Sequence, residues 1–284
     1  LSITSPLTDL THISEWVRVC DDHLNSIWNN PNTRTSSELC GRIDHLLSFT
    51  TPQCGELETL HIVNQWLAAN LKDLLRVVMT EEQEHERQRH PLGLARIVLL
   101  SSKRFTCRIH SRKTSGEFKE DIHNHKCHFS AVMLKGGYTH EIYHVEFDDD
   151  NLRQFNSVAV NDMKNNSAST YPCYRFKKTG QMYEQENIGT AQATKIQTSN
   201  LDNDDKYNYS YALPSHLYHC LTALSPSLIT LTVRGTPTNE NGCLFLRDTP
   251  VNIVKEAEAT TMKMEQLAQH ETDSILAEIL SILP

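Results

Sequence analysis

Apolar residues recur every three or four positions in the first third of the chain, at every second position in its middle, and every three or four again at its end. Ile13, Trp16, Val17, Cys20, Leu24, Ile27 and Trp28 form one stripe of a helix over 8–29, with Thr8 or Asp9 as its cap. A second helix is expected over 37–47. A third runs from Gly55 to Met79 and gathers Leu57, Leu60, Val63, Leu67, Leu71, Leu74, Leu75 and Val78 on one face. Residues 81–90 are mostly charged and read as a solvated helix end or linker, closed by Pro91 and Gly93. Residues 1–92 are therefore expected to be a helical N-terminal region.

From Gly93 the period falls to two. Ile97 and Leu99 begin it, and Phe105, Cys107 and Ile109 alternate with Thr106, Arg108 and His110 as half-buried strands do. Strands continue through a histidine-rich stretch, a Gly136-Gly137 turn and Tyr138–Phe147, and Asp148–Asn151 mark an exposed turn. Residues 151–205 are polar and rich in Asn, Ser and Thr, which predicts loops and short edge strands. Order resumes over Tyr207–Leu213, Leu228–Val233 and Leu244–Leu246. Beyond Pro250 a helix is expected to run towards Gln269, and Ile275, Leu276, Ile279, Leu280 and Leu283 make a last apolar stripe. The fold class is α+β, a run of short strands at 93–249 between helices, with a C-terminal helical segment at 250–284; such an order suggests a β-barrel with added helices.

Charge narrows the functions. A net charge of −8 and a pI near 6.0 argue against a nucleic-acid surface, which needs clustered Lys and Arg. Eight cysteines without a repeating spacing, and no apolar run of membrane length, point to reduced thiols in a cytoplasmic protein that meets neither membrane nor nucleic acid. The Ile275–Leu283 stripe either packs on the strands or makes a homodimer contact.

The chemistry concentrates in Gly116-Glu-Phe-Lys-Glu-Asp-Ile-His123-Asn-His125-Lys-Cys127-His128-Phe-Ser130 and in Pro214-Ser-His216-Leu-Tyr218-His219. Residues two apart on a strand share a face, so His123 and His125 offer adjacent imidazoles to one divalent ion, with His219 the best third ligand and His216 its rival. His128 has the wrong parity for a ligand on an unbroken strand. Tyr218 stands as a pocket hydroxyl or ordinary packing. His140-Glu-Ile-Tyr-His144 matches the His-Glu-x-x-His zinc peptidase pattern, in which Glu141 would be the base. Its β-branched and aromatic neighbours favour a strand, where residues four apart stand about 13 Å from each other and cannot share an ion.

These residues resemble the two motifs of the cupin superfamily. Gly116, His123, His125 and Gly137 fit the first motif, with one extra residue in its spacer, and Pro214 and His219 fit the second. Ser130 stands where the family often has a metal-binding Glu, His216 where it has Gly, and Ala223 where it has Asn. Lacking the Glu, the stretch is similar to the cysteine dioxygenase branch, whose three-histidine site holds Fe(II). The resemblance implies a cupin-type β-barrel, or double-stranded β-helix. It also implies a non-haem Fe(II) dioxygenase that uses O2 on a small amino-acid-like or thiol-containing molecule. Metal ligands would be His123, His125 and His219. Ser130 would line the pocket beside Tyr218, His128 would line it or support a ligand from behind, His216 would lie at the substrate if it is not a ligand, and Arg96 or Arg108, with Arg112 a further alternative, would bind a substrate carboxylate. Zn, Mn or Ni serving isomerase, lyase or hydrolase chemistry is the first alternative. A non-enzymatic module that binds a small ligand is the second.

Overall fold

The structure, a computed structural model, describes residues 13–30, 34–50, 55–81, 86–89, 94–113, 118–147, 168–179, 182–201, 210–238, 243–246, 262–263 and 265–283. Gly116 and the expected helix start at Thr8 or Asp9 lie outside them. Helices α1 (Ile13–Trp28), α2 (Ser36–Leu47), α3 (Glu56–Ala69), α4 (Leu71–Thr80) and α5 (Gln269–Ile282) follow the apolar stripes. Thr35 caps α2 by accepting the Glu38 N–H at 3.1 Å. The helix expected over 55–79 is two, because the side chain of Asn70 donates to the Trp66 carbonyl at 2.9 Å and its backbone leaves the helical region.

The strands are β1 (Arg87–Arg89), β2 (Ala95–Ser101), β3 (Thr106–Lys113), β4 (Ile122–His123), β5 (Cys127–Lys135), β6 (Tyr138–Phe147), β7 (Ser169–Thr179), β8 (Met182–Leu201), β9 (Ser210–Leu213), β10 (Tyr218–Ala223), β11 (Ser227–Pro237), β12 (Cys243–Leu246), β13 (Met262–Lys263) and β14 (Glu265–Gln266). They form two antiparallel seven-stranded sheets, ordered β14-β1-β2-β3-β11-β5-β9 and β13-β8-β6-β10-β4-β12-β7. In the second sheet β7 pairs with β12 and with β8, so the β7–β8 hairpin joins strands from both sides of the sheet.

Three expectations are corrected. The charged run before Pro91 contains strand β1, whose polar side chains find partners in Glu271, Gln269 and Arg96, as suits an edge region. In its described part, the polar 151–205 region holds a long hairpin rather than loops and short edge strands. Its exposed residues hide the period of two, and over 186–200 of β8 the buried hydrophobics are Ala191 and Ala193. The helix expected before Gln269 is replaced by β13 and β14 in its described part, and α5 starts where Glu271 accepts the Ala268 N–H at 3.2 Å.

One buried cluster joins all five helices to one face of the first sheet. Leu24, Leu39, Leu60, Leu67, Leu74 and Ile279 meet Ile97, Cys107, Ile109, Val132, Leu231 and Val233 there. Each such side chain stabilises the fold by roughly 1.5–3 kcal/mol on burial. The helices approach so closely that a Cβ on Gly235 would lie 2.0 Å from Glu56 Oε1. Glu56 in turn accepts the Thr236 N–H at 3.1 Å, pinning the start of α3 to β11. A second cluster, around Tyr143, Val145, Tyr218 and Leu244, belongs to the second sheet. A third, Phe129, Ala131 and Leu213 with Ile142 and Tyr211, joins the other face of the first sheet to the second. The candidate site borders this third cluster. No described helix is long and apolar enough to cross a membrane.

Candidate metal centre

Strand pairing brings the histidines together. β10 lies between β6 and β4, and His219 is directly opposite His123. Strand β4 ends at His123, so His125 arrives from an irregular segment rather than from the continuous strand that the His-x-His spacing suggested. Asn124 holds that segment: its side chain accepts the Leu244 N–H at 2.8 Å and its own N–H donates to the Leu244 carbonyl at 3.2 Å. The result is a set of ring nitrogens from His123, His125 and His219 that all lie within 4.8 Å of one another.

The geometry suits an ion. His125 Nε2 and His219 Nε2 are 2.8 Å apart, while ligands at about 2.1 Å from an octahedral ion have cis nitrogens about 3.0 Å apart. His123 uses Nδ1 towards the Asp121 carbonyl at 2.8 Å, which leaves Nε2 for the ion. Its ring stacks on Phe245 at 5.2 Å, and His125 meets Phe129 edge-on at 4.4 Å. Burial pushes His123 down to about 4 against the opposing hydrogen bond to Asp121, and burial holds His125 and His219 well below the usual imidazole range, with neighbouring imidazoles adding to the effect at both and Arg234 at His125. All three are neutral at pH 7 and so present lone pairs. Without an ion one ring would donate its N–H to the other across this 2.8 Å contact; with both protons on the outer nitrogens the same spacing suits two cis ligands, so the residues present fit a divalent ion.

The other predicted residues divide. Ser130 turns to the helices, where its Oγ meets His61 Nδ1 at 3.0 Å and accepts from Asn64 Nδ2 at 3.2 Å. His128 shares that parity on β5, and its Nδ1 accepts the Ser215 N–H at 3.0 Å. Tyr218, next to His219 on β10, faces the second cluster with Ile122 and Cys220. His216 is exposed on the turn that Leu217 N–H closes on the Pro214 carbonyl at 3.1 Å. Strand alternation thus turns Ser130 and His128 towards the helix side of β5 and leaves Tyr218 to packing, which was one of its two expected roles, while the turn leaves His216 exposed.

Arg96 and Arg108 lie on the sheet face opposite Ile97 and Ile109, and Arg234 on β11 continues the row. Registers Arg96↔His110, Arg108↔Thr232 and Arg234↔Thr106 set the three diagonally across neighbouring strands. Arg96 is engaged by Glu86 at 3.0 Å and by Gln88. Arg234 donates from Nε and Nη2 to Cys127 Sγ at 3.2 and 3.0 Å. Arg108 Nε is buried without a hydrogen bond among the described residues. Burial, then the charges of Arg234 and Arg96, push Arg108 down to about 9. Arg234 and His110 also act on His125, so the row ends beside the imidazoles. Arg112 instead lies over the Phe118 ring at 3.1 Å.

Sequence reasoning missed Arg234, Asn124 and His140. His140 stood only in the peptidase pattern, yet its Nε2 lies 3.0 Å from His219 Nδ1. That pattern is a strand here. Glu141 takes Lys195 and the Tyr143 hydroxyl, and His144 takes Glu146 at 2.9 Å.

No family model and no curated protein matches the chain. Among solved structures it is similar to hydroquinone 1,2-dioxygenase from Sphingomonas sp. TTNP3, with 10% identity, a TM-score of 0.29, and 50% of this chain and 65% of that chain covered. DMSP lyase DddQ from Ruegeria pomeroyi DSS-3 follows with 8% identity, a TM-score of 0.28, and 53% and 50% coverage. A cupin domain from Bordetella pertussis has 12% identity, a TM-score of 0.26, and 51% and 94% coverage. The chain thus spans less than two thirds of the first two, and likenesses this distant carry nothing about activity.

Proposed function

We propose that this protein is a cupin-type metalloenzyme that binds a divalent ion on His123, His125 and His219 and acts on a small anionic molecule. In this reading the ion is Fe(II) and the enzyme is an oxygenase that takes O2 with an amino-acid-like or thiol-containing substrate. The observation that carries it is the meeting of three neutral imidazoles, His123 and His219 buried and His125 half-buried, beside a row of arginines.

Bound there, the ion supplies a Lewis-acidic centre and, if it is iron, a redox-active one, with three neutral protein ligands leaving room in its shell. The chain's own residues do the rest. Arg108 and Arg234 attract and orient the anionic group, for which a planar guanidinium is suited. Arg96 is less available, since Glu86 and Gln88 already engage it. Phe129 and Phe245 keep water from the imidazoles and fix two of the rings. His128 holds the Pro214–Ser215 turn that leads into β10, the supporting one of its two expected roles.

The test is the metal content of protein purified without added metal, for the parent and for His123→Ala, His125→Ala and His219→Ala, followed by oxygen uptake on small thiols and amino acids. Near-stoichiometric iron, lost in each variant, with substrate-dependent uptake is the expected result. Zinc, manganese or nickel without uptake overturns the oxygenase and leaves the isomerase, lyase or hydrolase alternative. A parent that neither retains nor rebinds metal overturns the metalloenzyme and leaves a binding module.

A further inference from the structure

His219 has a neighbour on each ring nitrogen. Its Nε2 is 2.8 Å from His125 Nε2, and its Nδ1 is 3.0 Å from Nε2 of His140. A neutral imidazole carries one N–H, so the two contacts are not independent. If Nε2 faces an ion, the proton sits on Nδ1 and some group must accept it, or a buried donor is left unsatisfied. His140 is the group at that position.

His140 is itself held in place. It lies on β6 opposite Leu221, on the strand adjoining β10, and is 5% exposed. Its ring packs on Tyr211 at 4.4 Å, and Tyr211 is hydrogen-bonded to Tyr138. It is not one of the three nitrogens that converge on a common point. Its position behind His219 is that of a group that sets which nitrogen of a ligand is free.

We propose that His140 is a positioning residue: its Nε2 accepts the Nδ1–H of His219 and so presents His219 Nε2 to the ion. The inference rests on the metal reading above. It assigns a role to the first histidine of a pattern that otherwise reads as a peptidase signature.

Cobalt(II) is the probe, with affinity measured by competition against a chromophoric chelator and ligand geometry by the visible d–d bands. His140→Phe keeps a ring against Tyr211 without an acceptor. His140→Gln puts its amide near the Nε2 position and restores one. Affinity of the Phe variant should fall about 10- to 100-fold, with altered d–d bands and an unchanged far-UV spectrum. Gln should recover most of the affinity and the parent bands. In a His219→Ala background the Phe substitution should add no further loss, because the bond it breaks is already gone. The inference is overturned if the Phe variant binds as the parent does, if Gln is as weak as Phe, or if the two losses multiply in the double variant. Should the triad alanines lose cobalt while His140 variants do not, only this inference fails. Should the parent bind no cobalt, the metal reading fails and takes this inference with it.

Discussion

Arg108 carries a positive charge whose Nε is buried without a hydrogen bond among the described residues, and replacing it should make the fold more stable while weakening the proposed anion binding. Its guanidinium is displaced from an ordinary 12.5 to about 9 by burial and by Arg234 and Arg96. At about 1.36 kcal/mol per unit this is an upper bound of roughly 4–5 kcal/mol against the charged form. Water at the partly exposed strand position screens much of it, leaving about 2 kcal/mol. The sign follows from linkage. The folded value lies below the unfolded one, so the folded chain binds the proton less readily, and below about pH 9 the full penalty is present. Arg108→Met keeps the length and apolar stem and removes the charge. In differential scanning fluorimetry at pH 7 the variant should melt about 4–8 °C above the parent, at roughly 2–4 °C per kcal/mol for a chain of this size class. An anion that occupies the row supplies the missing counter-charge, so citrate or a small carboxylate should raise the parent's Tm and leave that of the variant unmoved. A variant that melts below the parent, or anion stabilisation that survives the substitution, would refute the reasoning.

Acid should unfold the metal-free protein early. His123 and His140 sit near 4 when folded against about 6.5 when unfolded, so stability is full above pH 6.5 and is lost as pH falls towards 4. Urea midpoints in chelator should show this, and His123→Asn, which does not titrate, should flatten the slope. Gly235→Ala places a Cβ 2.0 Å from Glu56 Oε1 and 2.9 Å from Leu60 Cδ1, so it should cost about 1–3 kcal/mol by chemical denaturation; an unchanged midpoint would mean α3 is not that close to β11. Removing 269–284 strips Ile275, Leu276 and Ile279 from the main cluster. The shortened chain should melt markedly earlier at an unchanged mass by light scattering, and a halved mass would show instead that the stripe joins two copies.

The helices were legible because burial on one face repeats every few residues, and α1, α2 and α5 follow their stripes. The break at Asn70 was not, since it depends on a side-chain bond to the Trp66 carbonyl. The β7–β8 hairpin was hidden by its polar, exposed surface, because backbone pairing needs no apolar signal. The histidine spacing identified the three imidazoles, but parity says only which residues share a face and not what that face meets. Ser130 and His128 met α3 and the Ser215 turn, and Tyr218 met the second cluster. His140 acts on a residue 79 positions away and has no local mark of that role.

By itself, then, the sequence determined the periods, the stripes and the supply of imidazoles, all properties of near neighbours along the chain. Tertiary structure alone decided that His123 stands across from His219, that these two imidazoles are buried and held neutral by it, and that Arg108 lies between two other arginines. These follow from strand register and from exclusion of water, and neither exists until distant segments pair.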